Sequence, residues 1–227
     1  RDHGRGIHRF ALVDEGQLSE AEAEELVQIA LNEMGQSVSG KVMVIEDETI
    51  IAMDLKGIVQ TLGHEVTGVR RSARPLPGVR LLQADITRPF RLEITPPDYV
   101  FILLSPDTPD EAGYERTYLQ GQAHIRDALE PFSPRRVFWV SSTSVYGEGD
   151  GRWTDEDTPP DPTAFNGRIL LEAEARARRD WPVTVVRLAG IYGEGRLRLL
   201  RWVESGRPVD PSAWSNRIHV TDAARLL

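Results

Sequence analysis

The chain has 227 residues, of which 40% are apolar and 27% charged, with a net charge of −8 and no cysteine. This composition is typical of a globular protein, and the acidic balance disfavours general nucleic-acid binding because phosphate contacts need surplus cations. The lack of cysteine excludes disulfides, thiolate nucleophiles and cysteine-ligated zinc. No apolar run approaches the roughly 18 residues that cross a bilayer, so we expect no membrane association and a cytoplasmic location.

Residues 1–40 predict a helical N-terminal segment and a linker. Ser19 and Glu22 form a capping box, and apolar residues follow at helical spacing as far as Met34. Residues 35–40 (GQSVSG) are typical of a linker. This helix either binds a partner or packs on its own domain, and the sequence leaves both interpretations open.

Residues 41–227 predict an α/β fold that contains a parallel sheet. Residues 41–46 (KVMVIE) form an apolar strand, residues 49–62 a helix with a broad apolar face, and residues 65–69 a second strand. Gly63 is placed to end the helix as a glycine cap. A strand–helix–strand unit of this kind predicts a parallel sheet.

The turn after the first strand is acidic. It contains Glu46, Asp47 and Glu48, whereas a dinucleotide-binding turn needs glycines that let the backbone approach the pyrophosphate. Three carboxylates would repel a pyrophosphate. Glu46 and Asp47 could instead coordinate Mg²⁺ through oxygen ligands, or the three acids could simply favour the start of the helix.

Arg70, Arg71 and Ser72 follow the second strand. In a dinucleotide-binding fold this position contacts the adenosine ribose, where an acid selects the 2′-hydroxyl and an arginine accommodates a 2′-phosphate. We therefore predict that NADP is preferred over NAD if a dinucleotide binds. The alternative is a pair of surface arginines without a ligand.

The rest of the chain alternates strands and helices. Further strands are predicted at residues 79–82, 99–104, 137–140 and 183–188, with helices at 110–130, 164–179 and 196–205. The hydroxyl residues Ser141, Ser142, Thr143 and Ser144 come directly after an apolar strand. Open α/β sheets bind ligands at the carboxyl ends of their strands, so these hydroxyls are candidate ligand contacts.

Four motifs, in this order, resemble the extended short-chain dehydrogenase/reductases, and most closely the atypical NAD(P)-dependent epimerase/dehydratase branch. They are VSSTSVYG, DEDTP, RLAGIYGEGRLRL and NRIHVTDAA, and the resemblance covers about residues 63–227. It implies that residues 41–227 form an NAD(P)-binding domain with a Rossmann-like doubly wound parallel sheet, whose C-terminal substrate part is cut short. It also implies a small-molecule substrate such as a nucleotide sugar, and it is compatible with a homodimer.

The resemblance assigns roles to single residues. Ser142 lies at the catalytic Ser/Thr position, with Thr143 beside it, and Arg217 and His219 lie in the segment that borders the substrate. The remaining matched residues belong to the cofactor site, namely Asp85, Ile86, Leu104, Ser105, Ser141, Gly190, Ile191 and Tyr192.

The catalytic Tyr-x-x-x-Lys of that family is missing. Phe165 stands at the tyrosine position and Ile169 at the lysine position. A phenylalanine cannot transfer a proton, and an isoleucine cannot lower the pKa of a tyrosine. We therefore predict impaired or absent hydride chemistry and leave open whether the chain is an enzyme. Tyr146 and Tyr192 are alternative proton donors.

A second resemblance covers the start of the chain. Residues 41–69 are similar to the first βαβ unit of a response-regulator receiver, and residues 8–69 to the junction of a sigma-factor-like domain and receiver in general-stress regulators. This predicts a chimera and an alternative function, a receiver-like phosphorelay module that binds Mg²⁺ at Glu46 and Asp47. The phosphoacceptor has no clear counterpart, and the nearest acids are Asp85 and Asp107.

Overall fold

The main sheet has six parallel strands. The computed structural model describes residues 40–46, 57, 59, 63–72, 78–147, 153–193, 201, 204–206 and 216–227. Each strand was predicted from its apolar run, to within two residues at either end. The strands are β1 (Lys41–Glu46), β2 (Glu65–Arg70), β3 (Arg80–Gln83), β4 (Tyr99–Leu103), β5 (Arg136–Ser142) and β6 (Val183–Leu188).

The strand order is β3-β2-β1-β4-β5-β6. This is the order of the dinucleotide-binding Rossmann fold, and it confirms the predicted fold class. A receiver is wound in the flavodoxin-like order 2-1-3-4-5, in which the third strand lies beside the first; here β3 lies beyond β2. The direction of winding reverses between β1 and β4, and the crevice outside their carboxyl ends is where such sheets bind ligands.

The central strands are buried on both faces, as continuous apolar runs in a parallel sheet should be. Every residue of β4 is buried. On one face, Ile45, Ile102 and Trp139 belong to the larger core cluster. On the other face, the rings of Phe101 and Phe138 stack at 4.5 Å between centroids.

Gly63 ends the helix that precedes β2. It adopts a φ of +82°, and the N–H of His64 donates to the carbonyl of Val59 at 3.2 Å. These are the left-handed residue and the 6→1 hydrogen bond of a Schellman motif, so the predicted glycine cap is confirmed. Most of the predicted helix 49–62 lies outside the described residues, as does the N-terminal segment 1–39.

The structure describes four α-helices from end to end: α1 (Glu111–Tyr114), α2 (Gly121–Leu129), α3 (Phe165–Asp180) and α4 (Val220–Leu226). The helix predicted at 110–130 is present, and a π-helical turn, Glu115–Gln120, separates its two α-helical parts, α1 and α2. This turn buries Tyr118, whose hydroxyl donates to the carbonyl of Leu104 at 2.8 Å. No helix in the described ranges is long and apolar enough to cross a membrane.

A small second sheet was missed by the sequence analysis. It pairs β7 (Gly190–Tyr192) in parallel with β8 (Arg217–His219). The sequence predicts a strand at neither segment. Strands of three residues are too short to show an alternating pattern. Most of the helix predicted at 196–205 lies outside the described residues.

Candidate cofactor and substrate site

The carboxyl ends of β1 and β2 hold a buried ion pair. Glu46 and Arg70 are 5% and 6% exposed, and the Arg70 Nη1 atom lies 3.7 Å from Glu46 Oε1. The two side chains meet because Ile45 and Val69 are register partners on adjacent strands. Arg70 therefore presents its charge to Glu46 rather than to solvent. Its expected contact with a cofactor phosphate stays a prediction.

This ion pair also bears on the magnesium alternative. Glu46, one of its two expected ligands, already faces the guanidinium of Arg70. Asp47, the other, lies outside the described residues. Within the part of the chain that the structure describes, no group of three or more metal-ligating side chains is found. The proposed Mg²⁺ site stays a prediction.

Arg71 presents its side chain to solvent beside the crevice. Its guanidinium donates two hydrogen bonds to Asp107, with Nη1–Oδ2 at 2.6 Å and Nη2–Oδ1 at 2.5 Å, and both side chains are 46% exposed. Hydrogen bonding to Arg71 holds the pKa of Asp107 below its usual value. Ser72 is exposed beside it. The loop after β4 is thus joined to the end of β2.

Asp85 and Ile86 follow β3 and differ in exposure. Asp85 Oδ1 accepts from the backbone N–H and the hydroxyl of Thr87, at 2.9 and 2.7 Å, and the hydroxyl bond lowers the pKa of this carboxyl. Ile86 is only 8% exposed and packs into the larger core cluster. Its carbonyl accepts from His124 Nδ1 at 2.8 Å, which places the imidazole proton on Nδ1. Asp85 therefore remains the more accessible of the expected pair.

The hydroxyl residues after β5 separate into two groups. Ser141 is buried, and its hydroxyl donates to Glu174 at 2.7 Å. Ser142 is half-buried and caps the 3-10 turn Thr143–Tyr146, its Oγ accepting from the N–H of Ser144 at 3.2 Å. An oxygen that accepts this bond still has its own proton to donate to a ligand. Leu104 and Ser105, after the neighbouring strand β4, are also half-buried.

The sequence analysis missed a buried polar network below this turn. Glu174 on α3 is 0% exposed and receives two bonds from Arg187 on β6, Nε–Oε1 at 3.0 Å and Nη2–Oε2 at 2.7 Å. Arg187 Nη1 also donates to the Tyr146 hydroxyl at 2.8 Å. Burial opposes the guanidinium charge, but hydrogen bonds to Glu174 and Tyr146 raise the pKa of Arg187. The network ties α3 and β6 to the turn after β5.

Phe165 begins α3 close to the same turn. Gly167, in the first turn of the helix, approaches so closely that an added Cβ would lie 2.5 Å from the carbonyl oxygen of Ser144. The ring of Phe165 meets the ring of Tyr114 edge-on at 5.6 Å. The start of α3 thus brings Phe165 to the segment that contains Ser142 and Thr143. Their catalytic roles stay predictions.

The second sheet carries the remaining predicted residues. Tyr192 is 39% exposed, and its ring meets the His219 ring edge-on at 5.3 Å. His219 Nδ1 accepts from the N–H of Thr221 at 3.3 Å, so the neutral imidazole has its proton on Nε2. Arg217 lies across Gly190, where an added Cβ would be 2.6 Å from Nη1. The glycine therefore makes room for this guanidinium.

Two curated proteins match parts of the chain. Protein YeeZ of Escherichia coli K12 is 37% identical over 86 residues, which is 35% of this chain and 29% of YeeZ. The phyllosphere-induced regulator PhyR of Methylorubrum extorquens is 40% identical over 52 residues, 23% of this chain and 20% of PhyR. The matched stretches thus span less than a third of either relative. The PhyR match is a partial likeness and leaves the expected chimera untested.

Solved structures with a similar fold match most of this chain. A Methylobacillus flagellatus protein, described as an NAD-dependent epimerase/dehydratase, is 36% identical, with a TM-score of 0.66, and the match covers 82% of this chain and 68% of that one. MoeE5, solved with UDP-glucose and NAD, is 26% identical, with a TM-score of 0.62 and coverage of 82% and 69%. The model of the NAD dependent epimerase/dehydratase family matches residues 58–226, so this chain belongs to that family.

Proposed function

We propose that this chain binds a nicotinamide dinucleotide in the crevice outside β1 and β4, with a preference for NADP, and a nucleotide-sugar-like substrate beside β7 and β8. We further propose that its hydride chemistry is impaired. The observation that carries the binding proposal is the strand order, which opens the crevice between β1 and β4 and sets polar side chains around it.

The adenosine half of a dinucleotide suits the residues around the crevice. Arg71 and Asp85 follow neighbouring strands, β2 and β3, and neither side chain is buried. A guanidinium can hold a 2′-phosphate through two parallel hydrogen bonds, and a carboxylate can accept from ribose or adenine. Glu46 opposes the pyrophosphate less than its charge suggests, because Arg70 lies beside it. A bound nicotinamide would supply hydride transfer.

The substrate proposal rests on the rim formed by β7 and β8. Arg217 is exposed and supplies a positive charge for a phosphate, and His219 has an Nε2–H to donate. Tyr192 offers an exposed ring face for a base or sugar. The MoeE5 complex, which contains UDP-glucose and NAD together, supports this substrate class.

The chemistry is expected to be slow because Phe165 has no proton to transfer. General acid–base catalysis contributes about 10²–10⁴-fold to rates. Ser142 still has a hydroxyl proton to donate to a substrate oxygen, so hydrogen bonding can remain without proton transfer through a tyrosine. The chain would therefore hold cofactor and substrate while converting them slowly.

Calorimetric titration of the purified chain with NADPH and NADH at physiological salt tests this proposal. We expect NADPH to bind with a Kd on the order of 1 μM and NADH more weakly. Ser142→Ala should bind NADPH as the unmodified chain does, because its proposed partner is a substrate oxygen. Absence of binding by both dinucleotides would contradict the proposed function.

A second candidate function is a receiver-like phosphorelay module, as expected of a chimera that combines both families. The partial likeness to PhyR and the acid at the end of β1 favour it. Asp107 is a candidate phosphoacceptor, because it follows the strand adjacent to β1. Its carboxylate is held by Arg71, which weakens this candidate.

Incubation with labelled acetyl phosphate and Mg²⁺ separates the two candidates. We expect no stable incorporation into the chain, because the only proposed acceptor is engaged by a guanidinium. Incorporation that disappears in Asp107→Asn would instead support the phosphorelay function. Incorporation retained in that variant would assign the label to a different residue.

A further inference from the structure

The Arg71–Asp107 ion pair spans the crevice. Arg71 directly follows β2 and Asp107 lies in the loop after β4, while β1 lies between these two strands in the sheet. Two hydrogen bonds of 2.6 and 2.5 Å join the side chains. The pair therefore passes over the carboxyl end of β1, where a dinucleotide would enter.

Arg71 is also held in place and surrounded by acid. Its carbonyl accepts from Gln83 Nε2 at 3.1 Å, which fixes its backbone to the end of β3. The pKa of Asp85 is lowered mainly by the hydrogen bond from Thr87, and the positive charge of Arg71 lowers it further. The guanidinium of Arg71 thus forms hydrogen bonds with Asp107 and also acts on Asp85 through its charge.

A phosphate and a carboxylate compete for such a guanidinium on equal geometric terms, because its planar fork matches both. A phosphate monoester carries about 1.5 to 2 negative charges at pH 7, whereas Asp107 carries one. The ion pair is exposed to solvent and to screening, so its bonds exchange readily. A 2′-phosphate can therefore take over the fork, whereas a ribose 2′-hydroxyl cannot.

We propose that the Arg71–Asp107 pair is a latch across the cofactor crevice, and that the 2′-phosphate of NADP opens it by replacing Asp107 on Arg71. This inference rests on the proposed dinucleotide binding. Asp107 then acts as a specificity-determining residue, since it lowers the affinity for NADP by competing for Arg71. NAD has no 2′-phosphate, so its binding offers Arg71 no ion pair to replace the one with Asp107.

The test compares Asp107→Asn with the unmodified chain by calorimetric titration with NADPH, NADH and 2′,5′-ADP. Asparagine keeps the shape of Asp107 but not its charge. We expect the Kd for NADPH and for 2′,5′-ADP to fall by about fivefold, and the Kd for NADH to change by less than about twofold. Arg71→Gln should remove the preference for NADPH.

Asp127→Asn is the matched control. Asp127 accepts two hydrogen bonds from the exposed Arg126 on α2, at 3.0 and 2.7 Å, so the same charge is removed from a similar ion pair outside the proposed site. We expect this variant to bind all three ligands as the unmodified chain does. If Asp127→Asn raised the affinity for NADPH as much as Asp107→Asn does, the change in net charge alone would explain the effect, and the latch would be overturned.

The ligands separate failure of the latch from failure of the proposed function. The latch would be overturned if Asp107→Asn bound NADPH no more tightly than the unmodified chain does, or if its affinity for NADH rose as much as its affinity for NADPH. Either result would leave the proposed dinucleotide binding intact. If no variant binds a dinucleotide, the proposed function fails, and 2′,5′-ADP decides the latch. Tighter binding of that fragment to Asp107→Asn would support the latch, and no binding to either protein would overturn it.

Discussion

Glu174→Gln is expected to lower the free energy of unfolding by about 3–5 kcal/mol. The carboxylate of Glu174 is 0% exposed and accepts four hydrogen bonds: two from Arg187, one from Ser141 and a longer one, at 3.3 Å, from Arg178. Glutamine keeps the shape but removes the negative charge, and Arg187, whose side chain is 12% exposed, would remain charged without its counter-ion. Urea unfolding followed by circular dichroism measures the loss.

Glu172→Gln is the control for this prediction. Glu172 lies on the same helix, is 53% exposed and pairs with Arg176 one turn along. Exposed pairs of this spacing are worth about 0.3–0.5 kcal/mol, so its loss should be small. Equal effects of the two substitutions would contradict a special contribution of the buried network.

Replacing Glu174 and Arg187 together with Leu and Met should recover much of the stability, since well-packed apolar residues often replace buried pairs without cost.

Gly147→Ala is expected to destabilise the turn that holds Ser142. Gly147 has φ of +81° and ψ of −160°, a region that is essentially restricted to glycine and costs other residues about 1–3 kcal/mol. An added Cβ would also lie 2.3 Å from the carbonyl oxygen of Asp161, and overpacking costs about 1–3 kcal/mol more. The sum exceeds about 2 kcal/mol, which thermal and urea unfolding can resolve.

Gly63→Ala separates the two contributions. Gly63 has a φ of +82°, but an added Cβ there has no atom within 4 Å among the described residues. Its substitution should cost only the left-handed backbone strain, about 1–2 kcal/mol. If Gly147→Ala were no more destabilising than Gly63→Ala, the close approach of Asp161 would not constrain this turn.

The strands could be predicted because most of them are short runs of apolar residues, and the Rossmann fold class followed from the family resemblance. The partners of the polar residues could not be predicted in the same way. Asp107 meets Arg71 only because β4 lies next to β1, and that adjacency is a property of the sheet rather than of either segment. The same reasoning applies to Arg187 and Tyr146, which belong to separate segments.

Glu174 is the site residue that the sequence did signal. It lies four residues after Leu170 and three before Ala177, both of which are buried, so helical periodicity places it on the apolar face of α3. A charged residue on an apolar face is informative because a buried charge needs a partner. Arg187 is likewise a charged residue in a strand that is otherwise mostly apolar, but the sequence did not show that it meets Glu174.

The shape of the candidate site depends on the number of residues in the π-helical turn Glu115–Gln120. A π turn has one residue more per hydrogen-bonded ring than an α turn, and each helical residue rotates the chain by about 100°. The surplus residue therefore affects the angle at which α1 directs Tyr114 toward Phe165. Gain or loss of one residue here would move Tyr114 together with Tyr118, which the π turn contributes to the core, so this wall of the candidate site and the core beneath it are expected to change together in evolution.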